Sequence, residues 1–260
     1  MIVVFLAAVI FGAAQSVHQG RRWEMYELEM QNPADDPPGA WDKTEYAWGR
    51  LRFRSNRGGY FGRARWGTDT NKSDRFFIRA LRRLTRVDAR SVEQIVDIDS
   101  DELFDYPCIY AVGAGDWVFS ASQAERLRHY FERGGFLMVD DFHNEREWAQ
   151  FMAGIEQVLP GHGAIELEAD DPIFHTVYNL SERYRVPGLN VVHGSQIERG
   201  GTYPHWRGVL DDRGRVVVGI WFNQDLGDAW EWADLPDYPE KYASMAIKLG
   251  VDYVIYAMTH

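Results

Sequence analysis

Cysteine is almost absent: Cys108 stands alone among 260 residues. A single thiol excludes an intramolecular disulfide and a thiolate metal cluster, so stability has to come from the core. Positive charge is also short. There are 28 Lys and Arg against 39 Asp and Glu, a formal net charge of −11, and a general nucleic-acid binder shows the opposite balance. Long apolar runs are missing too. Ile2–Ala14 is uncharged but only thirteen residues long, where a transmembrane helix needs about twenty. That length, with the small residues Gly12 and Ala14 at its end, fits the hydrophobic region of a signal peptide, so residues 1–14 are expected to direct export and to be removed. A buried N-terminal strand or an uncleaved anchor is the alternative.

Aromatic residues are abundant, with 14 Phe, 13 Tyr and 10 Trp in a chain that is 45% hydrophobic, enough for a sizeable core. Residues 15–44 are polar, contain the NPADDPPGAWD stretch and show no sustained period; they read as an extended arm. A single domain is expected over residues 45–260. The basic residues are unevenly placed, because residues 50–90 hold twelve Arg and Lys72 against only Asp69, Asp74 and Asp88. Either this region folds against the acidic remainder or exposes a solvated helix face, or it is a patch for an anionic lipid head group, a phosphate or an acidic partner.

From Tyr46 the pattern alternates, with Trp48, Arg50, Arg52 and Arg54 on one side and Leu51 and Phe53 on the other, which predicts a strand. Ser73 is placed to cap a helix over 74–86 with Phe77, Ile78, Leu81 and Leu84 buried. Strands are expected over 90–98, 108–112 and 136–140. Ser120 with Gln123, and Asn144 with Glu147, mark the starts of two further helices. Short runs near Val177 and Val191 come before a hairpin that turns at Asp211–Gly214. A helix over 240–258 ends the chain. Alternation of strands and helices around apolar central strands predicts an α/β fold with a mainly parallel sheet flanked by helices and an added β-hairpin.

In such sheets ligands bind beyond the carboxyl ends of the strands. Three loops there carry chemistry. Gly113, Gly115 and Asp116 follow one strand, where glycines let backbone N–H groups approach a ligand or simply make a turn. Asp140, Asp141 and His143 follow the next. Two carboxylates and an imidazole there need solvation, hydrogen bonds or a ligand, unless one Asp only caps a helix. Asn223, Asp225, Asp228 and Trp230 follow a third strand, a mixture suited to a hard divalent cation, to a sugar held between rings and acids, or to an ordered loop over core tryptophans. His175 is a further candidate ligand.

The segments LFDYPCIYAVGAGDWVFSASQAERLRHYFERGGFLMVDDF, DDPIFHTVY, NQDLGDAWEWAD and YAMTH together resemble a bacterial family known as domain of unknown function 4159, over roughly residues 46–260. The resemblance implies exported or membrane-tethered proteins. It also implies a sheet of the flavodoxin-like kind found in the class I glutamine amidotransferase and ThuA-like group. Many relatives carry a histidine where this chain has Ala114, so no histidine role transfers there. The amidotransferase nucleophile is absent as well: the corresponding turn reads Val139-Asp140-Asp141-Phe142-His143, and Cys108 starts a different strand, so glutaminase chemistry is not expected. Two readings stay open. One is a catalytic or ligand-binding site in which Asp140, Asp141 and His143 face Asp225 and Asp228, with or without a divalent cation, toward a polar or carbohydrate ligand. The other is a non-catalytic module of an envelope assembly that docks a protein partner.

Overall fold

The computed structural model describes residues 36, 39–56, 65–194 and 197–260. The expected signal segment 1–14 and most of the arm at 15–44 lie outside the described residues. The strands are β1 (Gly49–Arg52), β2 (Arg54–Ser55), β3 (Gln94–Asp97), β4 (Cys108–Val112), β5 (Trp117–Val118), β6 (Phe136–Phe142), β7 (Ala164–Glu166), β8 (His205–Leu210) and β9 (Val216–Phe222). The helices are α1 (Lys72–Leu84), α2 (Ala121–Glu132), α3 (Asn144–Val158), the single turn α4 (Leu189–Val192), α5 (Leu226–Glu231) and α6 (Glu240–Thr259).

One sheet runs β3-β1-β4-β6-β9-β8-β7. The first five strands are parallel, and β8 and β7 add antiparallel to β9 as the expected hairpin and an edge. Counting only the parallel strands, the order is the 2-1-3-4-5 of flavodoxin-like sheets. Both faces are covered, and the period of two sorts the side chains between them. Cys108, Tyr110, Phe136 and Met138 pack with α1, α5 and α6, while Ile109, Ala111, Leu137 and Val139 pack with α2 and α3. The Cys108 thiol is buried beside Met138, and burial pushes its pKa up to about 12. It is part of the core.

Several local expectations shift. Helix α1 begins two residues earlier than the Ser73 cap implied, because Ser73 sits inside the first turn, donating to the Asp69 carbonyl and accepting from Arg50. Leu84, expected in the buried stripe, is exposed. The strand expected over 90–98 contracts to β3. Val177 lies exposed outside any strand, and the Val191 run is the turn α4. The alternation at β1 holds, yet its polar side is not wet: Arg50 is fully buried, with Nε 2.9 Å from Asp74 Oδ2.

The two capping signals hold. Ser120 and Gln123 form a reciprocal capping box. At α3 the Asn144 side chain accepts from Glu147 N, but the Glu147 carboxylate reaches His143 N instead of closing the box on Asn144. That variation turns a helix cap into part of a site.

Candidate functional site

The topology reserves a crevice between β1 and β4, where the strand order reverses. Here it is filled. The turn Arg65–Gly67 packs over it: Arg50 donates to the Trp66 carbonyl, and Gly113, in the left-handed region at φ +69°, would place a Cβ only 2.6 Å from that of Arg65. A Cβ on Gly115 would lie 2.5 Å from that of Glu147. Gly113 and Gly115 therefore give way to Arg65 and Glu147 and do not present backbone to a ligand. Asp116 is buried beside them, its Oδ1 3.9 Å from Arg146 Nη1.

The open chemistry lies one strand over, at the ends of β6 and β9. The β6–β9 register slips between Val139 and Phe142, a bulge of the kind that re-aims side chains. Asp140 turns inward and is fully buried. Its Oδ2 accepts from Tyr110 Oη at 2.9 Å, Leu226 N at 2.9 Å and Gly227 N at 2.8 Å, while its Oδ1 has no hydrogen-bond partner among the described residues. Burial pushes its pKa up to about 7, against these donors. Asp140 anchors the start of α5 and is sealed from any ligand.

Asp141, at φ +52°, turns the other way. Its carboxylate meets Arg65 and Arg199 and lies 3.3 Å from His143 Nε2. Burial raises its pKa well above the usual carboxylate range, with Arg65 opposing and Glu198 adding to the rise. His143 is fully enclosed; burial, then the charges of Arg65 and Arg185, lower its pKa to about 3. Its Nε2 is 4.0 Å from Glu198 Oε2, and its Nδ1 has no hydrogen-bond partner among the described residues.

Glu198 links this group to the third loop. Its Oε1, Asp225 Oδ2 and Asp228 Oδ2 each lie 2.9 Å from the point where a side chain on Gly188 would begin. Asp225 caps α5 through Asp228 N, and Asp228 Oδ2 accepts from Leu189 N at 2.7 Å. Burial is the first cause of the raised pKa of all three, and for Asp225 the neighbouring Asp228 and Asp141 add to it. Asp228 also reaches a second trio, with Asp69 and Glu231.

Six of the residues expected at the site thus meet: Asp140, Asp141, His143, Asn223, Asp225 and Asp228. Asn223 holds the frame, accepting from Asn144 N and donating to the Tyr203 carbonyl. Five do not join them: Gly113, Gly115 and Asp116 stay at the filled crevice, and His175 and Trp230 lie elsewhere. His175 bonds the Ala169 carbonyl and lies beside Asp252 on α6. Trp230 is a core residue, fully buried and stacked 4.5 Å from Phe77, so it cannot receive a sugar. Arg65, Asp69, Tyr110, Arg185, Glu198 and Arg199 were not foreseen. They come from loops and from a strand interior, and no local spacing marks them.

The sheet order and this acidic rim define a doubly wound α/β protein whose usual crevice is plugged and whose buried charge sits beside it. The chain matches the model of the domain of unknown function DUF4159 over residues 53–258 and belongs to that family. No curated protein matches it.

Proposed function

We propose that this protein is an exported binding module whose acidic rim seats a hard divalent cation and, through it, a polar or carbohydrate ligand. The observation that carries the reading is the convergence of Asp141, Glu198, Asp225 and Asp228 in a nearly dry site, with His143 beside them. The ligand atoms of Asp141, His143 and Glu198 all lie within 4.8 Å of one another, the span of two oxygens on opposite sides of a Ca²⁺ at roughly 2.4 Å. Buried carboxylates this close repel and hold protons unless a cation replaces them. All the non-glycine residues with positive φ, namely Asp69, Asp141, Asn144, Arg199 and Asn223, surround this rim among the described residues, and strain of that kind gathers where a site is preorganised. Beside the rim a groove of about 860 Å³ is lined by Asn144, Trp148, Tyr203, His205, Arg207 and Asn223, among others, a mixture of rings and polar groups that suits a sugar.

Binding is favoured over turnover by the state of the groups. The thiol is inert in the core, Asp140 is sealed, and a histidine that gives up its proton near pH 3 is a weak base for neutral-pH catalysis.

Titration calorimetry on chelator-treated protein with Ca²⁺, Mg²⁺ and Mn²⁺ should show one of them binding, and Asp225→Asn or Glu198→Gln should weaken it by ~10-fold or more. Silence from all three ions up to millimolar concentration, or unchanged binding in both variants, would refute the cation site. Export is read separately: protein recovered from the cell envelope should have lost the mass of about residues 1–14, and an intact Met1 there would refute cleavage.

A further inference from the structure

Ten of the twelve arginines of residues 50–90 are among the described residues, and they differ in what they meet. Five of them are committed to acids of the same chain or to its backbone: Arg50 to Asp74, Arg52 to Asp97, Arg65 to Asp141 and Glu147, Arg75 to Glu93 and Asp36, and Arg90 to the Asp42 carbonyl. Arg79, Arg82 and Arg83, on the outer side of α1, are exposed and have no acid partner among the described residues. At spacings of three and four they repel one another along the helix. In a chain with an excess of acids, a face that was merely solvated could readily have drawn partners from them.

These three line a groove of about 940 Å³ with Lys43, Arg75 and Arg90. Its floor is Ile78 and Ala89, both buried, and its opposite wall runs through Asp88 and Ser91 and through Gly39 and Asp42–Thr44. Among the described residues, Asp42 and Asp88 are its only acids. A recessed channel of that size suits a discrete molecule; a flat bilayer would touch the rim of the groove and leave its walls unused. Guanidinium groups one helical turn apart, above an apolar floor, match several oxyanions carried by one ligand.

We infer that this groove is a second binding site, independent of the acidic rim, for a soluble phosphate-bearing polyanion. The test is calorimetry with inorganic tripolyphosphate at low salt, on the wild type and on the triple variant Arg79→Gln, Arg82→Gln, Arg83→Gln. The replaced side chains are exposed and have no acid partner among the described residues, so the variant should keep the wild-type circular dichroism. Wild-type binding should weaken as salt rises, and the variant should bind ~10-fold or more weakly. A parallel arm measures sedimentation with phosphatidylglycerol vesicles. Absence of tripolyphosphate binding, or binding unchanged in the triple variant, would overturn the assignment. Vesicle binding without tripolyphosphate binding would also overturn it, and would make the face a membrane contact.

Discussion

Asp74→Ala should lower the stability of the fold by about 3–5 kcal/mol, the cost of leaving one member of a buried ion pair alone. Arg50 and Asp74 are both fully buried. The Asp74 carboxylate also accepts from Trp48 Nε1 at 2.6 Å, so its removal orphans an indole as well as a guanidinium. Arg50 would keep its bonds to the Trp66 and Thr68 carbonyls, but those are dipoles and cannot neutralise its charge. For a domain with a total stability of about 5–15 kcal/mol, the loss corresponds to a fall in Tm on the order of 10 °C. The double variant Arg50→Met, Asp74→Leu should recover part of it, because no lone charge is left in the core. Thermal and urea denaturation read both effects. A cost below about 1 kcal/mol for Asp74→Ala would mean that water reaches the pair and that β1 and α1 are not joined as described.

Without divalent cations, the protein should lose stability steadily as pH rises above 6.5. A free Asp140 carboxyl releases its proton near 3.8, whereas in the fold it holds it to about 7. Between those values the native state binds more protons, so stability falls as pH climbs through about 7. His143 works in the opposite sense: its folded value near 3 lies below its ordinary 6.5, so its contribution is lost as pH falls through 6.5, and only about 0.4 kcal/mol of it is still to be gained above that. The window above 6.5 therefore belongs mainly to the carboxylates. Asp140 alone should cost roughly 1 kcal/mol across it, and Asp141 and Asp225, whose values are also raised, up to about 1.4 kcal/mol each per pH unit while they keep their protons. Thermal scans in chelator from pH 6.5 to 8.5 should show Tm dropping by several degrees, and a divalent cation should flatten the slope by taking the place of the protons. A flat or rising Tm in chelator would show that the rim carboxylates are hydrated and already ionised, and the case for a cation there would go with it.

The periodicities that reported the fold are local. Apolar runs at 108–112 and 136–140, the Ser120 box and the Asp211–Gly214 turn each describe a few consecutive residues, and each appears where expected. The weak signals were those that depend on what each face of an element packs against. Arg50 shares one side of an alternating strand with Trp48, and that side faces α1, so its charge is buried against Asp74. Trp230 followed acidic residues in a loop and was read as a ligand platform, whereas α5 turns it inward onto Phe77 and Trp48.

The acidic rim shows the same division. That Asp140, Asp141, Asp225 and Asp228 would gather was legible, because the carboxyl ends of parallel strands share one edge. What each does there was not, since a one-residue bulge in β6 sends Asp140 into the core beneath α5 and Asp141 out toward Arg65 and Arg199. Glu198 reaches the rim from a loop distant in sequence.

By itself the sequence determined the α/β class, the parallel core with its hairpin, the edge of the sheet that carries the carboxylates, and the lack of a thiol nucleophile. These follow from side-chain period and strand direction, which neighbouring residues set. Tertiary structure alone decided which charges are neutralised. It gave Arg50 to Asp74, filled the β1–β4 crevice with Arg65, and left Arg79, Arg82 and Arg83 without acid partners among the described residues. The reason is that a charge is compensated by whatever lies within a few ångströms of it, and those neighbours are brought in by long-range packing that no local pattern encodes.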